Sequence, residues 1–257
     1  KGKDSGKIKR NAGGATIGFD GKIDDDTTLG VALSYNINTL KPKADSINNS
    51  HSNFSTNTSS IIGSLYGSMQ ADEQLVLIGN ITFGKLYGKT KYQSFLSEDN
   101  NFKLKGELFG ANIGANYYLP LASLVLVPSL TGSYEGVKFA AIKQGNFTTG
   151  KIDIQKFSIT PGLSLATIFE YDDFQLIPQV SASYSNLPLI KSKKLNLKNA
   201  SGRILSNNKI SVAKDSYNLG ASLTLSSERI ETSIGYERTG QSKYLGHTGY
   251  LKLRINI

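Results

Sequence analysis

The chain has 257 residues, 39% of them hydrophobic, with 26 Gly, 13 Tyr and 11 Phe and neither Cys nor Trp. The lack of cysteine excludes a disulfide framework, a thiolate metal site and a thiol nucleophile; two histidines, His51 and His247, are too few for clustered histidine ligation. The formal charge of +9 (29 Lys+Arg against 20 Asp+Glu) would suit a nucleic-acid binder, but the lysines are expected mostly in polar gaps between strands, as in LIKSKKLNLKNASGR (189–203), so no nucleic-acid partner is expected.

The opening KGKDSGKIKR is polar and basic, without an apolar segment. Behind it ATIGFD (15–20) sets Ala15, Ile17 and Phe19 against Thr16, Gly18 and Asp20. LGVALSYNI (29–37) puts Leu29, Val31, Leu33, Tyr35 and Ile37 on one face and small polar residues on the other. QLVLIGNITF (74–83) and FGANIGANYYL (109–119) repeat the scheme. So do FSITPGLSLATIF (157–169), FQLIPQVSASY (174–184), YNLGASLTL (217–225) and RIETSIGYE (229–237). The last twelve residues, GHTGYLKLRINI, alternate Leu251, Leu253, Ile255 and Ile257 with Tyr250, Lys252, Arg254 and Asn256. Period two runs throughout, and no stretch sustains a helical period.

Eleven strand candidates result, many of nine or more residues, where strands of soluble proteins are typically about five or six. The longest apolar run, LPLASLVLVP (119–128), is far short of the ~20 residues of a membrane helix. A tilted membrane β-strand needs about 9–11 residues. A face of Gly, Ser, Thr and Asn is a wet face, and alternation of this kind predicts an antiparallel, up-and-down transmembrane β-barrel with apolar side chains to lipid. Few apolar residues suffice for such a shell, because only one face of each strand needs them.

The connections alternate. Short ones are expected at 21–28, 70–73, 120–123, 171–173 and 227–229, and long ones at 38–53, 88–102, 136–152 and 186–209, with 239–242 a brief exception on the long side. Barrels of the outer membrane have short periplasmic turns and long external loops, so the odd-numbered strands run toward the periplasm. Aromatics gather at both strand ends: Phe19, Tyr117, Tyr118, Phe169, Tyr171 and Phe174 near short turns, and Tyr35, Tyr134, Tyr184, Tyr217 and Tyr236 near long loops. Pro128, Pro161 and Pro178 fall inside strands, which counts against those strands being central. Single-chain bacterial barrels have an even strand count, so a twelfth strand is expected upstream of Lys1. The alternative is a short extra strand within residues 4–10.

The tail GYLKLRINI, the repeated LxLGxxxSY-like texture and the loop alternation resemble, over nearly the whole chain, the translocator β-barrel of classical monomeric autotransporters. The ending SKYLGHTGYLKLRINI (242–257) is most similar to rickettsial surface cell antigens, large adhesin-type members of that family. The resemblance implies one N-terminally incomplete domain over 1–257, a barrel of about twelve strands in the bacterial outer membrane with its loops at the cell surface. It implies a monomeric barrel with outer-membrane lipid, the barrel assembly machinery and the chain's own upstream linker helix and passenger as partners. Leu251, Leu253, Ile255 and Ile257 match the family's C-terminal insertion signal. The implied role is secretion of an adhesin-like passenger, with no catalytic, cofactor or metal residue.

On the wet face, Asp20, Glu231, Glu237, Lys252 and Arg254 are expected to face the lumen and to cross-pair or contact its filling. His51 and His247, with Asp45 and Asp99, could be read as a protease at the barrel mouth, but solvated loop residues account for them. SLYGS (64–68) has the Tyr-Gly pair of a fluorescent-protein chromophore, yet it lies within an alternating strand. Asp24, Asp25 and Asp26 lack the spaced ligands of a calcium loop. Two other readings stay open at this point: a different outer-membrane barrel, serving as pore or loop-based adhesin, and a soluble β-rich binding domain.

Overall fold

A computed structural model describes residues 8–42, 53–94, 97–141, 143–144, 147–192, 195–198, 201, 204–208, 214–241 and 244–255. Eleven long strands carry the fold. They are β1 (Ile8–Lys22), β2 (Thr27–Pro42), β3 (Asn53–Gln70), β4 (Leu75–Ser94), β5 (Ser97–Tyr117) and β6 (Leu124–Phe139). β7 (Ile152–Thr167), β8 (Gln175–Ser192), β9 (Asp215–Ser226), β10 (Ile230–Gln241) and β11 (Tyr244–Ile255) complete the set. Each pairs antiparallel with its neighbours in sequence, so the sheet is an unbroken meander from β1 to β11.

The register makes the alternation physical. Ile17 stands opposite Leu33, Leu65 opposite Ile81, Phe83 opposite Phe109, and Leu223 opposite Ile234. Apolar residues therefore meet apolar residues along one face, and Gly, Ser, Thr and Asn predominate on the other, where Ile62, Ile78, Leu86 and Leu108 stand opposite Gly or Ser. A one-residue slip of any strand would exchange the faces. Among the described residues no hydrophobic side chain is buried, and the buried polar ones are Ser60 (5% exposed) and Ser233 (7%). Ile113 is 71% exposed and Leu251 75%. A water-soluble domain buries its Ile and Leu; this one buries serine and displays Ile, Leu, Phe and Tyr over the opposite face, as a protein solvated by lipid does. All eleven aromatics of the two expected rims are exposed.

The short connections close by local chemistry. Asp24 Oδ1 accepts the Asp26 N–H at 3.0 Å, and hydrogen bonds led by the Thr27 hydroxyl hold its carboxyl below the usual carboxylate range. Asp72 Oδ1 accepts from the N–H groups of Gln74 and Leu75 at 2.7 and 2.9 Å. At the β5–β6 turn, the short strand Leu119–Leu121 folds back on Leu124–Leu126 through a two-residue loop in which Ala122 has φ of 52°. The rings of Tyr171 and Phe174 stack at 4.7 Å across the β7–β8 turn.

Four expectations need correction. β4 and β5 are 20 and 21 residues long, well past the about 9–11 a tilted membrane strand needs, so 88–102 is largely β4 and β5 rather than loop. Parts of 136–152 and 186–209 form a second, four-stranded sheet from Lys143–Gln144, Phe147–Thr149, Leu195–Lys198 and Ile204–Asn208. Several lysines assigned to gaps therefore stand on strands. Residues 8–10 extend β1 instead of making a separate strand; residues 1–7 lie outside the described residues. The three prolines sit in central strands. At Pro161 the β7–β8 ladder is interrupted between Ile159/Asn186 and Gly162/Ser183. A 2.7 Å hydrogen bond between the hydroxyls of Thr160 and Ser185 bridges that break. Pro128 and Pro178 remain in register opposite Leu163 and Leu223, so one missing N–H donor per strand does not displace the strand.

Candidate functional site: a polar wall joined across the sheet edges

The polar face is laced by side-chain hydrogen bonds between adjacent strands. Hydroxyl pairs link Thr16 to Ser34 (2.7 Å), Thr56 to Thr90 (2.9 Å) and Thr224 to Ser233 (2.9 Å). Asn112 Nδ2 donates to Asn80 Oδ1 at 3.0 Å, and Thr239 Oγ1 donates to Asn218 Oδ1 at 3.1 Å. Lys156 pairs with Glu135 across β6 and β7. Cross-strand polar pairs of this type fix register while leaving the surface wet.

The five charged residues expected on this face fall into two ion pairs and one hydrogen bond. Lys252 Nζ lies 3.1 Å from Glu231 Oε1, linking β11 to β10. Glu237 accepts from Asn218 Nδ2 at 3.5 Å. Arg254 Nη2 lies 2.5 Å from Asp20 Oδ1. That last pair joins the first strand to the last. Laid flat, eleven strands at about 4.8 Å spacing would hold β1 and β11 about 48 Å apart. The ion pair therefore requires the sheet to curl, and because Asp20 and Arg254 share the polar face, that face is the concave one. β1 and β11 remain the terminal strands of the hydrogen-bonded order.

Tyr66, the tyrosine of SLYGS, belongs to the same cluster. Its hydroxyl donates to Asp20 Oδ2 at 3.0 Å. Gly30, opposite Tyr66 in the β2–β3 register, leaves room for the ring: a Cβ there would stand 2.5 Å from Tyr66 Cζ. Gly235 does the same for Tyr250, whose ring atoms would lie 2.2–2.5 Å from an added Cβ. A glycine directly opposite an in-phase tyrosine is the signal that could have found both.

On the apolar face of β11, Leu251, Leu253 and Ile255 are exposed; Ile257 lies outside the described residues. His247 is on that face too, and its Nδ1 meets the Tyr236 hydroxyl at 2.5 Å near the outer end of the strand. His51 and Asp45 lie outside the described residues. Among the described residues no three His, Cys, Asp or Glu side chains are grouped to hold a metal ion.

Residues 1–237 match the family model described as the autotransporter beta-domain. The chain belongs to that family. Outer membrane protein A of Rickettsia conorii is 24% identical over 266 residues, spanning 97% of this chain and 13% of that protein. Outer membrane protein B of Rickettsia prowazekii is 24% identical over 278 residues, spanning 97% of this chain and 16% of that protein. The chain thus covers about a sixth or less of these relatives. The translocator domain of autotransporter NalP from Neisseria meningitidis superposes with a TM-score of 0.70 at 16% identity, over 97% of this chain and 81% of that one. The chain is an autotransporter beta-domain of the bacterial outer membrane, with relatives among rickettsial outer membrane proteins, and it shares its fold with a translocator β-barrel.

Proposed function

We propose that this domain, N-terminally incomplete over 1–257, inserts in the outer membrane and delivers an upstream adhesin-like passenger to the cell surface. The observation that carries this reading is the pairing of faces: an exposed apolar face outside and a hydrogen-bonded polar face inside, drawn round by Arg254 and Asp20. Lipid solvates the first, and a polypeptide in transit is accommodated by the second. No step in this role needs a nucleophile, a cofactor or a metal.

The edges of β1 and β11 would each leave backbone N–H and C=O groups without partners in hydrocarbon, at several kcal/mol per group. One upward strand from upstream of Lys1, hydrogen-bonded to both edges, removes that cost and gives the even count. Leu251, Leu253, Ile255 and Ile257 would present alternate apolar side chains on an open edge to the assembly machinery, with main-chain hydrogen bonds for affinity and side-chain pockets for selectivity. Asp20, Glu231, Glu237, Lys252 and Arg254 would line the lumen, where the linker helix of the passenger sits.

The test uses the full-length protein expressed in cells, with surface exposure of the passenger read by protease accessibility. Deleting Leu253–Ile257 should abolish both outer-membrane insertion and surface exposure. Cysteine pairs between the upstream strand and Lys252 or Arg254 should cross-link within one molecule; residues 1–257 contain no cysteine of their own. Normal insertion of the truncated protein would overturn the role assigned to the tail, and absence of the cross-link would overturn the added strand.

A further inference from the structure

On the convex face, a groove of about 620 Å³ crosses the middle of β3, β4 and β5 and the outer ends of β6 and β7. Its floor is aromatic: Phe83 and Phe109 have ring centroids 5.1 Å apart, and Phe109 and Tyr134 6.0 Å apart. It is open because Gly63 and Gly136 stand in phase with these rings, and a Cβ at either would meet nothing closer than 3.9 Å. Its rim is charged. Lys85 lies opposite Glu107, and Glu107 opposite Lys138, all on the apolar face and one outward-facing position beyond the rings.

The rim has a definite height. The outward positions of β4 below it, from Leu75 through Leu77, Gly79 and Ile81 to Phe83, are apolar or glycine. Eight residue steps at about 3.4 Å and a tilt of about 40° rise about 21 Å, close to the ~25 Å apolar band of a membrane barrel. Lys85 therefore stands where the outer-leaflet hydrocarbon ends and the headgroups begin. Beyond it, Lys89 and Lys91 on β4 and Lys103 and Lys105 on β5 are exposed on the same face. Lys89 stands directly opposite Lys103 in the register. Like charges so placed are destabilising, and an anion between them removes the penalty. With Lys85 and Lys138, six lysines share this face of β4 to β6 with the carboxylate of Glu107.

We propose that this groove is a binding site for a phosphorylated, multi-acyl lipid of the outer leaflet. An acyl chain lies in the groove along Phe83, Phe109 and Tyr134. The phosphates sit above, among Lys85, Lys138 and the Lys89–Lys103 pair. Basic clusters at headgroup height select anionic lipid in this way, and the aromatic floor supplies the apolar contact. The site rests on the membrane orientation of the barrel and not on passenger delivery, so either can fail without the other.

The experiment titrates the full-length protein, extracted from outer membranes into a neutral detergent, with a synthetic hexa-acyl glucosamine disaccharide carrying two phosphates. Bound lipid is counted by native mass spectrometry. The same lipid without phosphates, and inorganic phosphate alone, are the comparison probes. The bis-phosphorylated lipid should bind at least ten-fold more tightly than its dephosphorylated form, and inorganic phosphate should not displace it at equal concentration. Lys85→Ala with Lys138→Ala should weaken binding at least ten-fold. Gly136→Leu, which fills the groove and keeps every charge, should do the same, and Lys22→Ala at the opposite end should change nothing. Folded barrel is recognised by its altered gel mobility on boiling, and Lys89→Gln with Lys103→Gln provides a second charge variant that leaves the groove floor intact. Equal binding of the dephosphorylated lipid, displacement by free phosphate, or unchanged affinity in folded variants would overturn the proposal.

Discussion

Arg254 and Asp20, 234 residues apart in sequence, meet at 2.5 Å on the concave face of the sheet. One stands three residues before the end of the chain's last apolar alternation, the other at the foot of the first strand, and their contact joins the two terminal strands through side chains. Tyr66 holds the other oxygen of the Asp20 carboxylate from β3.

Reversing that pair checks its contribution. The pair is partly exposed, so the ion pair should contribute on the order of 0.5–1 kcal/mol. Asp20→Arg alone should lower the temperature at which the boiled-type gel mobility appears, and so should Arg254→Asp. The double reversal should recover most of the loss in a double-mutant cycle, because the Coulomb attraction is symmetric and only the Tyr66 hydrogen bond to Asp20 is forfeited.

The two faces should respond oppositely to charge. A Lys or Arg at Ile113, Leu163 or Leu223, each exposed on the apolar face, costs about 2–4 kcal/mol at mid-bilayer. These variants should fail to appear as folded barrel in outer-membrane fractions. Lys at Ser164 or Ser222, one residue along on the polar face, should assemble at close to the normal level.

Gly235 is a packing position for Tyr250. Gly235→Val should destabilise by about 1–3 kcal/mol, the usual cost of overpacking, measured as urea sensitivity of the folded gel form. In a Tyr250→Ala background the same substitution should cost much less, because the ring it collides with is gone.

Ala122 holds a positive φ of 52° at the β5–β6 turn. For a residue with a Cβ this conformation costs roughly 1–2 kcal/mol. Ala122→Gly should therefore stabilise the folded barrel by about 1 kcal/mol in the same urea assay, while Ala122→Val should destabilise it.

The meander and its two faces were legible in the sequence because period two is a local property: Ile17, Leu33 and Leu65 declare their face wherever their partners are. The strand ends were not legible. Beyond the bilayer both faces of a strand meet water, so Lys89, Lys91 and Lys103 give the same polar reading as a loop. Pro161 misled for a related reason. The rule against proline in a central strand assumes a ladder with no other bonds, and here the hydroxyls of Thr160 and Ser185 bridge the interruption. Within the polar face, the charges could be placed from parity but not paired, because Asp20 and Arg254 meet only after the whole sheet has curled. Lys85, Glu107 and Lys138 stand in phase with Ile81, Phe109 and Tyr134, so parity alone would have exposed the charged rim on the apolar face.

The central claim is that the apolar face meets lipid and the polar face encloses an aqueous lumen. The cysteine-free chain allows this to be read directly. Single cysteines at Ile113, Leu223 and Leu251, and at their neighbours Asn112, Ser222 and Lys252, would be introduced in the full-length protein and labelled in intact outer membranes. The first three should react with a lipid-partitioning maleimide and be protected from a charged, membrane-impermeant one; the second three should show the reverse once the lumen is opened to reagent from the periplasmic side. Alternation of labelling at every pair is the expected result. Equal reactivity of both faces with the charged reagent would contradict the account.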